Sequence, residues 1–278
     1  MTHLVSTQWL ADHLGDDDLV VLDASYHLAA TGRDAAAEYA AGHIPGARFV
    51  GFETIADSNS ALDNTAPAAA DFAARMGALG VSNDSRIVIY DDSPLHSSAR
   101  LWFLLRMFGK ESSILDGGLS AWKAQGRPEE QGTPKYAPAT FTATVHPAML
   151  RGKADMLANV ASRAEQVVDA RGADRFSGEG GEIRPGQPSG HIPGARNLPI
   201  GMLYESDGTM KDIGGIESEF VAAGVDLSRP IVTSCGSGVT AAVLSFALSI
   251  LGKDSAIYDG SWSEWAADPA TPKSVGSA

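Results

Sequence analysis

Gly42-His-Ile-Pro-Gly-Ala-Arg48 returns as Gly190-His-Ile-Pro-Gly-Ala-Arg196, seven identical residues at an offset of 148. Three further matches run in the same order with a slowly drifting offset. Val21-Leu-Asp-Ala24 aligns with Val167-Val-Asp-Ala170, Arg86-Ile-Val-Ile-Tyr90 with Pro230-Ile-Val-Thr-Ser234, and Ile114-Leu-Asp-Gly-Gly118 with Ile257-Tyr-Asp-Gly-Ser261. Trp122 and Trp265 extend the last pair. Ordered matches of this kind mark an internal duplication. The 278 residues therefore read as two copies of one domain, at about 150 residues per domain the number that length alone suggests. The copies are placed at 1–126 and 150–278. A linker at 127–149 carries Pro128, Pro134, Pro138 and Pro147 among few helix formers, a semi-extended composition. The small, polar residues 271–278 are expected to fray.

Each copy repeats one grammar. Short β-branched runs at 19–22, 87–90, 166–168 and 231–233 have the character of buried parallel strands. Helical stretches lie between them at 68–79, 98–108, 216–223 and 239–251, each followed by a glycine that suits a helix C-terminus. Strands alternating with helices give an α/β fold, each domain a mainly parallel sheet flanked by helices.

Composition excludes several classes of function. With 34 Asp and Glu against 21 Lys and Arg the net charge is -13, which repels phosphate backbones and anionic membrane surfaces. No nucleic-acid or membrane partner is expected. The one cysteine, Cys235, can form neither an internal disulfide nor a multi-cysteine metal site, which fits a reducing, cytoplasmic setting. No basic-then-apolar leader opens the sequence, and the apolar stretch 241–251 is too short to span a bilayer.

The duplication lets each half serve as a control for the other. His43 and His191, in the shared heptapeptide, read as buried structural histidines, and Trp122 and Trp265 as core anchors. The halves diverge at the end of one strand. The first continues into Asp91-Asp-Ser-Pro-Leu-His96, the second into Cys235-Gly-Ser-Gly-Val-Thr240 followed directly by a helix. Ligands of open α/β sheets bind at the carboxyl ends of strands. Gly236 and Gly238 allow successive N–H groups to converge on the sulfur or on an anion it carries. The helix start adds positive potential. Such settings supply the nucleophilic thiolate at neutral pH. A phosphatase loop of this shape needs an arginine at the sixth position after the cysteine to grip phosphoryl oxygens; Ala241 stands there. A cysteine protease needs an ordered His partner, which nothing places near Cys235, and a thioredoxin-like role needs a second cysteine.

The tandem copies, Tyr39-Ala-Ala-Gly-His-Ile-Pro-Gly-Ala47 and the single cysteine loop resemble the rhodanese sulfurtransferases over nearly the whole chain. In that family the first domain is catalytically silent, often with Asp in place of Cys, as at Asp91. Cys235-Gly-Ser-Gly-Val-Thr240 and Tyr258-Asp-Gly-Ser-Trp-Ser-Glu-Trp265 resemble the 3-mercaptopyruvate sulfurtransferases rather than thiosulfate enzymes, which carry two basic residues after the cysteine. The resemblance implies two rhodanese-like domains and transfer of sulfur from 3-mercaptopyruvate, through a Cys235 persulfide, to a small or protein thiol or to cyanide. A thioredoxin-like protein is one such acceptor. No metal or organic cofactor is implied. The substrate-binding set is Arg175, Arg184, Gly236, Gly238, Val239 and Thr240, with Ser237 beside Cys235 as a catalytic candidate.

Arg175 and Arg184 lie in an insert absent from the first half and would meet the donor's carboxylate and carbonyl; the bland alternative pairs them with Glu179 or Glu182. Arg171 and Arg196 read as structural. A Ser-His-Asp relay proposed for some relatives would use Ser237, but its partners fall on Glu53 and Asn64, so the histidine is missing. A thiosulfate sulfurtransferase and a non-turnover persulfide carrier stay open as alternatives. A covalent tandem is compatible with a monomer.

Overall fold

The structure is a computed structural model that describes residues 3–183 and 186–277. The chain divides into two compact units. The first is built from residues up to Asn59, from Ala66–His146 and from Glu205–Met210; the second from Ser60–Thr65, Pro147–Tyr204 and Lys211 onward.

In the first unit, strands β1 (Leu4–Val5), β2 (Leu19–Asp23), β3 (Arg48–Phe49), β4 (Arg86–Tyr90) and β5 (Ser113–Leu115) alternate with helices α1 (Thr7–His13), α2 (Ala35–Ala41), α3 (Ala69–Ala78), α4 (Ser98–Met107) and α5 (Gly118–Ala124). The second unit repeats this with β6 (Leu150–Arg151), β7 (Gln166–Asp169), β8 (Arg196–Asn197), β9 (Ile231–Ser234) and β10 (Ala256–Tyr258). Its helices are α6 (Lys153–Ser162), α7 (Ala173–Ser177), α8 (Ile213–Ala222), α9 (Ala241–Ile250) and α10 (Ser261–Ala267). The sheets have orders β1-β5-β4-β2-β3 and β6-β10-β9-β7-β8, and all their pairings among the described residues are parallel. β4 and β9 are thus the middle strands, and each feeds a helix, α4 or α9. Among the described residues no helix is long and apolar enough to cross a membrane.

The repeated motifs do matching work. His43 and His191 are buried. His43 Nδ1 lies 2.8 Å from the Tyr39 carbonyl with its ring stacked on Tyr39; His191 Nδ1 lies 2.9 Å from the Phe176 carbonyl and stacks on Phe176. Trp122 and Trp265 are fully buried in the two cores, each indole N–H donating at 2.8 Å to a backbone carbonyl, of Pro128 or Pro272.

Three sequence expectations need correction. Residues 271–277 do not fray. Ser274 exchanges backbone hydrogen bonds with His191 at 2.8 and 2.9 Å, and Gly276 N–H donates to Ser177 at 2.7 Å. This segment is the counterpart of 128–130, where Glu130 pairs with His43 in the same way; small polar composition gives no sign of that backbone pairing. Helix α8 begins three residues before the expected 216, because Asp212 Oδ1 accepts from Gly215 N–H at 2.7 Å and caps it. α9 begins at Ala241 rather than 239, because Val239 and Thr240 form a tighter turn whose carbonyls accept from the third residue on, Ala242 N–H at 3.2 Å and Val243 N–H at 3.1 Å.

Asp23 is a buried carboxyl with no counter-ion among the described residues. Asp169, ending β7, has Arg171 two residues on; Asp23, ending β2, has Ser25. Asp23 is 1% exposed and accepts from Ser25 N–H at 2.9 Å, yet burial pushes its carboxyl up to about 6. The folded chain therefore holds a proton that the unfolded chain, with an ordinary Asp near 3.9, releases. Stability from this group is present below about pH 4 and lost as pH rises through about 6, a loss of about 3 kcal/mol. Asp23→Asn should gain on wild type by that amount between pH 4 and pH 7 in urea unfolding of the first unit. A pH-independent difference would contradict the assignment.

Candidate active site

β9 ends at Ser234 and places Cys235 at the carboxyl end of the middle strand of its sheet. Cys235 is 1% exposed. Its Sγ accepts the Gly238 N–H at 3.1 Å, a contact that the left-handed backbone of Gly238 makes possible. Gly236 serves differently: a Cβ there would stand 3.3 Å from Arg175 Nη2, so its missing side chain admits a guanidinium against the loop. Among the described residues, no acceptor takes the N–H groups of Gly236, Ser237, Val239 or Thr240. The loop thus presents donors at the start of α9, the arrangement that suits an anion. Val239 and Gly238 are buried, while Ser237 and Thr240 are half-buried at the rim.

α10 anchors the loop from behind. Trp262 N–H donates to the Cys235 carbonyl and Ser263 N–H to the Gly236 carbonyl, both at 2.9 Å; Ser263 Oγ also bonds the latter carbonyl. Ser261 Oγ accepts the Cys235 N–H at 3.2 Å, donates to the Tyr258 carbonyl at 2.9 Å and lies 3.9 Å from Sγ. Ser261 is fully buried and sits at φ 50°, a left-handed conformation that costs a non-glycine residue about 1 kcal/mol or more. Its counterpart Gly118 has φ 56°, where a Cβ would stand 2.4 Å from the Asp91 carbonyl oxygen. The second half therefore keeps a strained serine where the first uses glycine. Sequence reading missed Ser261, although the aligned Gly118/Ser261 difference was the signal that could have found it.

Arg175, on α7, is 20% exposed and pairs with Glu182 at 2.6 Å, so it has the pairing partner foreseen for a surface arginine while also abutting Gly236. Arg184 lies outside the described residues. Arg171 is buried, bonded to Asp169 and Glu182, with its guanidinium 4.5 Å over the Trp262 ring. Burial works against its charge, but Asp169, Glu182 and the Cys235 sulfur outweigh that and hold its pKa above the usual arginine value. Asn64, at φ 61°, belongs to the second unit, and its Nδ2 lies 3.4 Å from Ser237 Oγ. An amide occupies the place next to Ser237 and cannot take a proton from it. Among the described residues no group of three or more His, Cys, Asp or Glu is gathered to hold a metal ion.

The matching loop of the first unit is closed by its own carboxylate. Asp91 Oδ1 accepts Ser93 N–H at 3.0 Å and Oδ2 accepts Ser98 N–H at 2.8 Å, at the start of α4. The Asp91 carbonyl accepts Leu119 N–H at 3.1 Å, as that of Cys235 accepts Trp262.

A family model for the Rhodanese-like domain matches residues 6–125 and again 153–268. The chain is 43% identical over 270 residues to a 3-mercaptopyruvate sulfurtransferase of Rattus norvegicus, covering 94% of this chain and 91% of the relative. It is 40% identical over 270 residues to a thiosulfate sulfurtransferase of Gallus gallus, covering 94% and 92%. The crystal structure of SseA from Escherichia coli, described as a 3-mercaptopyruvate sulfotransferase with the rhodanese fold, matches with TM-score 0.86 at 37% identity over 94% of this chain and 99% of that one.

The strain at Ser261 is testable. Ser261→Ala leaves the buried Cys235 N–H without its acceptor and should lower stability by about 1–3 kcal/mol. Ser261→Gly loses the same hydrogen bond but relieves the left-handed strain, so its urea midpoint should lie above that of Ser261→Ala, the reverse of the usual helical ranking. The usual order, or two wild-type midpoints, would contradict this account.

Proposed function

The chain belongs to the rhodanese family, with one rhodanese-like domain in each half, and from that premise we propose that it is a 3-mercaptopyruvate sulfurtransferase working through Cys235. The observation that carries the reading is the second-half loop, in which Cys235 Sγ accepts the Gly238 N–H at 3.1 Å and Arg175 is the cation set against the loop. Cys235-Gly-Ser-Gly-Val-Thr240 contains no Lys or Arg. A compact dianion such as thiosulfate would find no charge inside the loop, whereas a monoanion whose carboxylate lies away from its sulfur suits a guanidinium at the rim.

In the reaction the Cys235 thiolate attacks the sulfur of 3-mercaptopyruvate. An S–S bond forms, the substrate's C–S bond breaks, and its electron pair leaves as the enolate of pyruvate, which takes a proton at carbon. The negative charge of the resulting persulfide faces the N–H donors of Gly238 and of the neighbouring loop residues. A thiolate or cyanide then attacks the outer sulfur, and Cys235 departs as thiolate. Ser237, beside Asn64, donates a hydrogen bond to the donor's carbonyl in this reading, and no histidine among the described residues hydrogen-bonds it to act as a base. Thr240 can donate to the persulfide from the helix start. The first unit, with Asp91 in the cysteine's place, has no nucleophile and serves as scaffold. Arg184 joins Arg175 in this reading as a second contact to the donor's carboxylate.

Steady-state assays with both donors test the proposal. kcat/KM should be higher for 3-mercaptopyruvate than for thiosulfate, and Arg175→Ala should raise KM for 3-mercaptopyruvate about tenfold or more, the loss of a charge-assisted pair of about 1.5–3 kcal/mol. A preference for thiosulfate would replace this reading with the thiosulfate one. Persulfide formation without turnover on any acceptor would make the chain a carrier.

A further inference from the structure

Four charged side chains alternate in sign from the sheet to the cysteine loop. Asp169, at the end of β7, takes the Arg171 guanidinium at 2.8–3.1 Å. Arg171 is further fixed by the Gly190 carbonyl at 2.6 Å and by the Trp262 face. Its Nη1 donates to Glu182 Oε1 at 2.6 Å. The other oxygen, Oε2, accepts from Arg175 Nη2 at 2.6 Å and Nε at 3.1 Å. Glu182 has a side chain only 2% exposed although it sits in the insert between α7 and His191. Of this frame the first half keeps only Asp23, the counterpart of Asp169; Ser25 stands in place of Arg171 and the insert is missing.

A buried carboxylate is costly unless both oxygens are taken by cations. Here both are, and one cation cannot move. The result is that Glu182 holds one edge of the Arg175 guanidinium, Nε and Nη2, while Nη1 donates to no acceptor among the described residues. A planar guanidinium held in this way loses little freedom when it meets a second carboxylate. We propose that Glu182 is a positioning residue which fixes Arg175 against Gly236 for the carboxylate of the sulfur donor, and so sets the preference for a carboxylate-bearing donor. This rests on the reading of Arg175 as the donor's anion contact.

Glu182→Gln keeps the shape and removes the charge that orients Arg175. KM for 3-mercaptopyruvate should rise about tenfold, with kcat changed less, as expected when a positioning group is loosened. Discharge of a persulfide loaded with inorganic polysulfide, followed by cyanide single turnover, should keep its wild-type rate, because that half-reaction does not use the donor's carboxylate. Glu182→Asp, which keeps the charge and shortens the reach, should fall between. In an Arg175→Ala background Glu182→Gln should add nothing to KM, since both changes remove one effect. If Arg175→Ala raises KM while neither Glu182 variant does, the positioning role is overturned and the reading of Arg175 survives. If Arg175→Ala leaves KM unchanged, both fall. Equal slowing of loading and discharge would also overturn the proposal, marking Glu182 as structural.

Discussion

Backbone N–H groups at the start of a buried helix must meet negative charge, and both halves of this chain are built around that requirement. The middle strand of each parallel sheet ends where its helix begins, so the turn between them aims donors at one point. In the first half the chain supplies the anion itself. The two oxygens of Asp91 each take an N–H, at 3.0 and 2.8 Å, and the turn is closed. In the second half a single sulfur stands at that point and takes one N–H, at 3.1 Å. Four neighbouring loop N–H groups have no acceptor among the described residues, and they are available to charge carried outward on the sulfur. One scaffold thus carries a turn closed by its own carboxylate in one half and a turn with open donors around a sulfur in the other.

The reactive turn depends on rigid support. Backbone hydrogen bonds from Trp262 and Ser263 tie it to α10, and Ser261 holds the Cys235 N–H at the expense of a strained backbone. On the other side the alternating charges from Asp169 to Arg175 bring a cation to Gly236. Electrostatic stabilisation of developing charge is strongest when its dipoles are fixed before reaction, and here they are fixed by the sheet, by a helix and by a buried ion-pair frame. The overall charge of -13 does not oppose this. Acidic side chains elsewhere are screened within about 10 Å at ordinary salt, whereas the Arg175 guanidinium lies against Gly236 itself.

Much of this was legible in the sequence because duplication supplied its own control. Features kept in both halves, such as His43 and His191 or Trp122 and Trp265, take the same buried places. The difference between Asp91 and Cys235 marks the two strand ends that behave differently. What escaped was backbone information. The alignment of Ser261 with Gly118 marks the position, but that a serine there carries a left-handed φ of 50° needs coordinates. The ends at 128–130 and 272–276 pair through main-chain groups, which composition does not reveal. Arg171 was legible as structural, but its link through Glu182 to Arg175 needs coordinates. The resemblance put Asn64 at the histidine position of the relay, and the short segment 60–65, which clusters with the second unit, brings its Nδ2 to 3.4 Å from Ser237 Oγ.

The central claim is that the second-half cysteine, and nothing in the first half, carries the transferred sulfur. Intact-mass measurement after one equivalent of 3-mercaptopyruvate, without acceptor and with released pyruvate counted, tests it most directly. Wild type should gain one sulfur atom per chain with one pyruvate released, and Cys235→Ala should gain none. Sulfur retained by Cys235→Ala, or pyruvate released by wild type with no gain in mass, would contradict it.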